Sequence, residues 1–140
     1  PYMTKPEAYA LGGMIMQAES TGCSEVRAPR PVRRSYMAID DMLRIAIHAV
    51  GELESGRSAT FETAGEIVEM GELAARVLGV LCADPSAVAR PPMDPDASAD
   101  DYLGDPAVVR ALAARAGITP APLDEQIAVT ANWLRAEGVA

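Results

Sequence analysis

The sequence predicts a helix-rich α/β protein, and two observations support this fold class. Several segments carry apolar residues at intervals of three and four, as the buried face of a helix requires. Between them lie two or three short segments that are rich in β-favouring residues and bounded by glycine or proline. Strands separated by helices are typical of α/β folds, although a sheet of only two or three short strands is marginal alone.

Composition limits the class of function. The chain has 140 residues and a mass of 14.7 kDa, which suits one domain with one core, and 49% of its residues are hydrophobic. Its net charge of -8 opposes binding to a nucleic-acid backbone or an anionic membrane. No apolar run approaches the roughly 18 residues of a membrane span, so we expect a cytoplasmic protein. Two cysteines and one histidine offer little for a metal site.

Five helices are predicted, at 6–19, 41–53, 69–81, 106–115 and 123–137. In the first, Thr4 and Glu7 have capping-box spacing and Pro6 suits the first turn. Gly12 and Gly13 lie in its middle, where they indicate either close approach by a backbone or ligand, or a tolerated weakness.

The last three helices have local signals of their own. Glu72 and Arg76 are spaced to pair on the outside of the helix at 69–81. Asp105 and Pro106 form an N-cap and first-turn pair for the next helix, and Gly117 closes it. The final helix has acidic residues near its N-terminus, where they complement the helix dipole.

The predicted extended segments are "CSEVRA", centred on Val26, "SYMAI", "GRSATFETAG" and "SAVARPP". The third is assigned to a strand because it is bounded by glycine and contains Thr60, Phe61 and Thr63. The segment "MDPDASADDYLGD", residues 93–105, is predicted to be an acidic loop.

An unusual basic cluster stands in this acidic chain. Within "VRAPRPVRRSYMAIDD", residues 26–41, four of the twelve basic residues fall within eight positions: Arg27, Arg30, Arg33 and Arg34. A planar guanidinium offers paired donors to phosphate oxygens, so an arginine in this cluster is suited to binding a phosphate group. The alternative is that these side chains offset nearby acids or cover apolar surface with their stems.

The order of segments resembles the C-terminal half of an extended short-chain dehydrogenase/reductase (SDR), of the NAD(P)-dependent sugar-nucleotide epimerase and dehydratase family. "RRSYMAIDDMLRIAIHAV" resembles that family's Arg-Asp-(Phe/Tyr)-x-His-Val-x-Asp stretch, and "ATFETAGEIVEMGELAARVL" resembles the strand, turn and helix that follow it. "LGDPAVVRALAARAGITPAPLDEQIAVTANWLRAEG" resembles the family's closing pattern. Pro1 and Tyr2 resemble the end of its "YGP" turn.

The resemblance implies a substrate site. Arg34 matches the arginine that contacts the diphosphate of a nucleotide sugar. Val26 would pack near the base with Arg27 beside it, and Arg90 resembles a second arginine on the diphosphate side. Two positions depart from the family's pattern, because Ser35 replaces its acidic residue and Ala38 its histidine. The reaction subtype is therefore not carried over.

Other residues of the basic segment receive ordinary structural roles. Arg30 and Arg33 are expected to pair with acids or cover surface, Asp41 to cap the helix that it begins, and Tyr36 to be part of the core. Tyr2 and Lys5 would lie near the mouth of the sugar site, where a solvated role is expected for each.

The family's catalytic machinery is not in this sequence. Lys5 is the only lysine and Pro1 stands four positions before it, so a Tyr-x-x-x-Lys pair is excluded, and no glycine-rich turn follows a strand. Residues 1–140 are therefore expected to be a single C-terminal substrate-binding region without its N-terminal dinucleotide-binding half. The complete enzyme would use NAD or NADP, while this chain alone would bind neither and be inactive. A homodimer is possible.

Two other readings of the sequence stay open. The chain could be an autonomous helical interaction module whose acidic loop meets a basic partner. It could also be a homologue that binds a nucleotide sugar without turning it over.

Overall fold

The computed structural model describes residues 4–139. The resemblance noted at Pro1 and Tyr2, and the place expected for Tyr2, lie outside these residues. The helices are α1 (Ala10–Thr21), α2 (Ile39–Gly51), α3 (Met70–Val80), α4 (Pro106–Ala116) and α5 (Leu123–Ala136), and a short 3-10 helix at Pro6–Ala8 precedes α1. The strands are β1 (Ser24–Glu25), β2 (Val32–Tyr36), β3 (Glu66–Glu69), β4 (Val88–Ala89) and β5 (Asp100–Tyr102).

The strands form two small sheets. β1 pairs in parallel with β4, and the second sheet has the order β3, β2, β5. In that sheet β2 is central, because β3 pairs with it antiparallel and β5 pairs with it in parallel. The prediction of a helix-rich α/β protein is confirmed.

Two apolar clusters hold these elements together. The larger joins α1, α3 and α5 around side chains with no exposed surface, including Ile15, Leu73 and Ile127. The smaller packs α2 on α4 through Ile45, Val109 and neighbours. Burying one such aliphatic side chain contributes about 1.5–3 kcal/mol, so the larger cluster dominates stability.

The predicted helices α3, α4 and α5 are confirmed to within a few residues at each end. The Asp105 side chain accepts a hydrogen bond from the Ala107 N–H at 2.9 Å, and Gly117 ends α4 in the left-handed conformation. The predicted pair on α3 is wrong, because Arg76 instead contacts Glu66 and Asp124, at the ends of β3 and α5. Arg76 therefore ties three elements together.

The starts of α1 and α2 differ from prediction. The capping box at the first helix is wrong, because Lys5 occupies the N-cap of the 3-10 turn and α1 itself begins at Ala10. Asp41 is not an N-cap either, since α2 begins at Ile39. The Asp41 side chain is buried and accepts a hydrogen bond from the Ala121 N–H at 2.8 Å, so it fastens the entrance of α5 to α2.

Two strand predictions also need correction. The predicted strand at 56–65 is wrong: the chain enters a sheet only at Glu66, although Phe61 and Ala64 pack into the smaller cluster. A strand requires a neighbouring backbone as well as β-favouring side chains, and no backbone in the described part of the chain pairs with this segment. Conversely, the acidic loop contains β5, which β2 supplies with a partner.

Within residues 4–139, no helix combines the length and the apolar character that crossing a bilayer demands.

Gly12 and Gly13 occupy different environments within α1. A Cβ at Gly12 would overlap the backbone carbonyl of Pro6, whereas one at Gly13 would lie 3.4 Å from the Glu7 carbonyl oxygen. The close approach suspected from the sequence is therefore confirmed for Gly12, and the neighbour is the chain's own backbone.

We expect Gly12→Ala to lower the free energy of unfolding by about 2 kcal/mol, because the 3-10 turn must move away from α1. Gly13→Ala is the matched control, and it should be neutral or stabilising by up to about 1 kcal/mol through helix propensity. Urea unfolding followed by circular dichroism measures both. Equal effects of the two substitutions would contradict this packing.

Candidate functional site

The basic cluster is placed by β2, the central strand of the larger sheet. Pairing sets Arg34 opposite the buried Val68 on β3 and opposite Tyr102 on β5. Arg33, the next residue back, lies on the other face because side chains alternate along a strand. The two arginines therefore point to opposite sides of the sheet, and Arg34 is the more shielded, with 31% of its side chain exposed against 47% for Arg33.

β5 supplies anions to these arginines. The Arg34 guanidinium donates to the Asp100 backbone carbonyl at 2.8 Å and to its Oδ1 at 3.3 Å, while Arg30 Nη2 lies 3.6 Å from Asp100 Oδ2. Asp101 forms a two-pronged pair with Arg33, at 2.6 and 2.8 Å. That pair raises the pKa of the Arg33 guanidinium. The expectation that Arg30 and Arg33 pair with acids is confirmed.

Arg34 keeps spare donors. A guanidinium has five N–H groups. Nη1 donates to the Arg33 and Asp100 carbonyls and Nη2 makes the contact with Asp100 Oδ1. Within residues 4–139, the Nε–H and the second Nη2 hydrogen have no partner. The Nε–H lies on the side edge of the guanidinium plane, and the edges of a guanidinium are where oxyanions bind through charge-assisted hydrogen bonds.

Arg90 is held much more completely. It forms a two-pronged pair with Glu69 at 2.8 and 2.9 Å and donates to the carbonyls of Ala28 and Arg30. Only 16% of its side chain is exposed. Four of its five N–H groups are therefore used within the protein, and its role in the fold is to join the segment before β2 to the start of α3.

Glu69 is the hydrogen-bond acceptor shared by Arg90, the start of β2 and the start of α3. It accepts hydrogen bonds from the backbone N–H groups of Val32 and Gly71 as well as from Arg90. Burial raises the pKa of the Glu69 carboxyl, but these hydrogen bonds outweigh burial and hold the pKa at about 2. The predicted helix at 69–81 included Glu69, whereas Glu69 is the N-cap of α3; glutamate is not a typical N-cap residue, so no local signal in the sequence identified this role.

Val26 and Arg27 lie elsewhere in the fold. Val26 is 4% exposed within the larger apolar cluster, and its N–H donates to the Ala89 carbonyl beside β4. The Arg27 side chain is 83% exposed and pairs with Glu25 at 3.1 Å. Both follow directly after β1 of the two-stranded sheet, so the structure does not gather them into one pocket with Arg34, and their contacts with a nucleotide stay a prediction.

A cleft of about 650 Å³ opens where β2 ends, between the start of α1, the entrance of α2 and one side of α5. It is lined mainly by apolar side chains, including Tyr36, Met37, Ile39 and Val129. Tyr36 is half-buried and packs against the larger cluster, as expected. Burial raises the pKa of its hydroxyl, and the positive charge of Arg34 partly opposes this rise. No pattern in the sequence predicts this cleft.

Among residues 4–139, the paired glycines of α1 form no phosphate-binding turn, and no cluster of metal ligands is present. Gly12 and Gly13 lie inside α1, where Gly12 packs on Pro6, so they form no phosphate-binding turn after a strand. Residues 4–139 also contain no group of three His, Cys, Asp or Glu side chains placed to hold a metal ion. What the site offers is a set of guanidinium groups on a short sheet.

Comparison with known proteins identifies one informative similarity. No protein-family model and no curated protein matches the chain. Among solved structures, it is similar to TunA, an NAD-dependent NDP-hexosamine 5,6-dehydratase involved in tunicamycin biosynthesis, with a TM-score of 0.63 and 17% identity. The match covers 93% of this chain and 40% of the TunA chain.

At this identity the similarity concerns the fold. The chain has the fold of part of a sugar-nucleotide dehydratase, and it spans less than half of the length of that enzyme. The comparison therefore bears on the predicted resemblance only through this shared fold.

The depressed pKa of Glu69 predicts acid sensitivity. Because its pKa in the folded protein lies below the ordinary value of 4.5, its stabilisation is complete above that value and is lost as the pH falls toward about 2. At pH 7 we expect Glu69→Gln to lower the free energy of unfolding by about 2–3 kcal/mol, since charged hydrogen bonds are lost.

The matched control is Glu72→Gln, an exposed position one turn into the same helix. Urea unfolding at several pH values should show that Glu69→Gln flattens the loss of stability between pH 4.5 and 2, while Glu72→Gln retains the full slope. The same slope in both variants would show that Glu69 does not carry the effect.

Proposed function

We propose that this chain is the nucleotide-sugar-binding C-terminal portion of an NAD(P)-dependent enzyme that modifies a sugar nucleotide, with Arg34 as the principal diphosphate contact. Two independent lines support this proposal. The position of Arg34 matches the arginine of the extended SDR motif, and the fold matches part of an NDP-hexosamine dehydratase. Because Ser35 and Ala38 depart from the motif, the proposal concerns the class of substrate and leaves the reaction subtype open.

The observation that carries the proposal is the state of the Arg34 side chain. Its guanidinium lies on the central strand, partly shielded, and keeps two N–H groups that the described residues do not use. Partial shielding strengthens a charge-assisted contact because water competes less for it. A diphosphate, with several oxygens and negative charge, is the kind of ligand that such an edge recognises.

Exposed apolar surface supports the idea that this chain is one portion of a larger enzyme, in which a dinucleotide-binding half covers it. α2 buries one face on α4 but exposes another, on which Ile47 is 72% and Val50 is 68% exposed, with Leu43 beside them. Such a stripe on one helix is typical of a contact with another domain. The nearby segment 56–65 has β-favouring residues but no strand partner among residues 4–139, and we infer that a sheet edge in that half supplies one.

The complete enzyme would bind NAD or NADP in that other half, where the cofactor carries out hydride transfer. This chain alone would bind the sugar nucleotide without turnover. A homodimer and a cytoplasmic location stay predictions for the complete protein.

The alternative of an interaction module with an acidic partner-binding loop is less well supported. Asp100 and Asp101 of that loop contact arginines of the same chain, so their charge is already used internally. A homologue that binds but does not react shares the binding site proposed here, and it differs only in the absence of turnover by the complete protein.

We expect the chain to bind nucleoside diphosphate hexosamines, with UDP-N-acetylglucosamine and its dTDP-linked counterpart as probes in isothermal titration calorimetry. Arg34→Gln should weaken binding by about tenfold to hundredfold, since it removes charged hydrogen bonds to the diphosphate. The effect should be the same size for free UDP, because the interaction concerns the phosphates.

Arg33→Gln is the matched control, because it removes the same charge one position away on the opposite face of the strand. It should change affinity by less than about threefold, the range of exposed ion pairs. Thermal unfolding should establish that both variants remain folded. No binding by the parent chain, or equal losses in the two variants, would overturn the proposed site.

A further inference from the structure

The acidic residues that pair with Arg30, Arg33 and Arg34 lie in one short segment beside the proposed site. Residues 94–101, here called the acidic segment, contain four aspartates and no basic residue. The segment is attached by the Asp94 and Asp100 N–H groups, which donate to the carbonyls of Pro29 and Pro31 at 2.7 and 2.8 Å. It therefore follows the chain that leads into β2.

The Asp100 carboxylate already pairs with the positively charged groups that a diphosphate would contact. Its two oxygens face Arg34 at 3.3 Å and Arg30 at 3.6 Å. A ligand with two or more negative charges bound to the unused donors of Arg34 would bring its charges close to the Asp100 carboxylate, which carries charge of the same sign. Like charges at such separations repel, so ligand and carboxylate compete for the same guanidinium groups.

The contacts of Asp100 are of a kind that exchanges easily. Its side chain and those of its two arginine partners are between 31% and 51% exposed, and such pairs contribute only about 0–1 kcal/mol each. Most residues of the acidic segment are exposed, and segments with few buried contacts open at low cost in free energy. The Arg90–Glu69 pair differs, since both side chains are largely shielded and each makes further hydrogen bonds.

We propose that the acidic segment is a built-in competitor of the substrate: Asp100 holds Arg34 and Arg30 in the ligand-free protein and is displaced when the diphosphate of a sugar nucleotide binds. This inference rests on the proposed function. It assigns to Asp100 a role in setting affinity, because each binding event includes the exchange of one carboxylate for phosphate oxygens. The Arg90–Glu69 pair stays closed and keeps β2 in place.

The test compares two aspartates of the same segment. Asp100→Asn removes the competing charge while keeping the shape of the side chain and the backbone carbonyl that Arg34 also contacts. Asp96→Asn removes the same charge from a side chain that pairs with no arginine in the described structure. With UDP as the probe in calorimetry, Asp100→Asn should bind about threefold to fivefold more tightly than the parent chain, the scale of an exposed ion pair. Asp96→Asn should change affinity by less than twofold.

The outcomes separate this inference from the proposed function. Tighter binding by Asp100→Asn but not by Asp96→Asn supports displacement. Equal or weaker binding by Asp100→Asn, while the parent binds in an Arg34-dependent manner, overturns the competitor and leaves the proposed function standing. If neither the parent chain nor Asp100→Asn binds UDP, both the proposed function and this inference are contradicted.

Hydrogen exchange gives a second measurement that a simple charge effect would not reproduce. If the segment is displaced, saturating UDP should raise the exchange rate of the amide of Asp100, which is bonded to Pro31 in the free protein. The amide of Gly71, bonded to Glu69, should be unaffected. Slower exchange at Asp100 with UDP bound would contradict displacement.

Discussion

The Glu69 carboxylate is the interaction on which the arrangement of this protein depends. It ends β3, accepts the N–H of Gly71 in the first turn of α3 and the N–H of Val32 on β2, and pairs with Arg90. Arg90 in turn fixes the carbonyls of Ala28 and Arg30. A chain with few aromatic residues and two small sheets thus gains a polar connection between β2, β3 and α3. Because these hydrogen bonds are charge-assisted and shielded, they position β2 firmly.

Arg90 and Arg34, two arginines of the same region, differ in how many of their N–H groups the fold uses. Arg90 has nearly all of its donors used by the fold, whereas Arg34 has a partly used guanidinium and an exposed carboxylate partner. The difference comes from the surroundings, because the residue type is the same. A buried pair is costly to break, while an exposed pair exchanges with solvent ions and ligands. Arg34 is therefore suited to binding an anion, and Arg90 is suited to holding the strand that carries it.

The sequence was informative where structure is local. The bounds of α3, α4 and α5 follow from periodicity and from signals within one turn, such as Asp105 and Gly117. Predictions that depended on distant partners were less successful. The segment 56–65 has the residues of a strand but no neighbour in the described chain, and β5 forms in an acidic loop because β2 lies beside it. The Asp41 side chain accepts a hydrogen bond from the N–H of Ala121, which lies 80 positions away in sequence.

The same reasoning applies to the site. The resemblance singled out Arg34 from its motif, yet its partner Asp100 lies 66 positions further on, and no local pattern identifies it. The most direct test of the central claim is therefore to observe the guanidinium itself, by NMR of the arginine Nε–H groups during titration with UDP-N-acetylglucosamine. A diphosphate bound at β2 should shift the Arg34 signal and slow the exchange of its Nε–H with water. The signal of Arg115, which lies on α4 and pairs with Glu52, should not change. An unchanged Arg34 signal at concentrations that saturate binding would contradict the assignment of this arginine to the substrate.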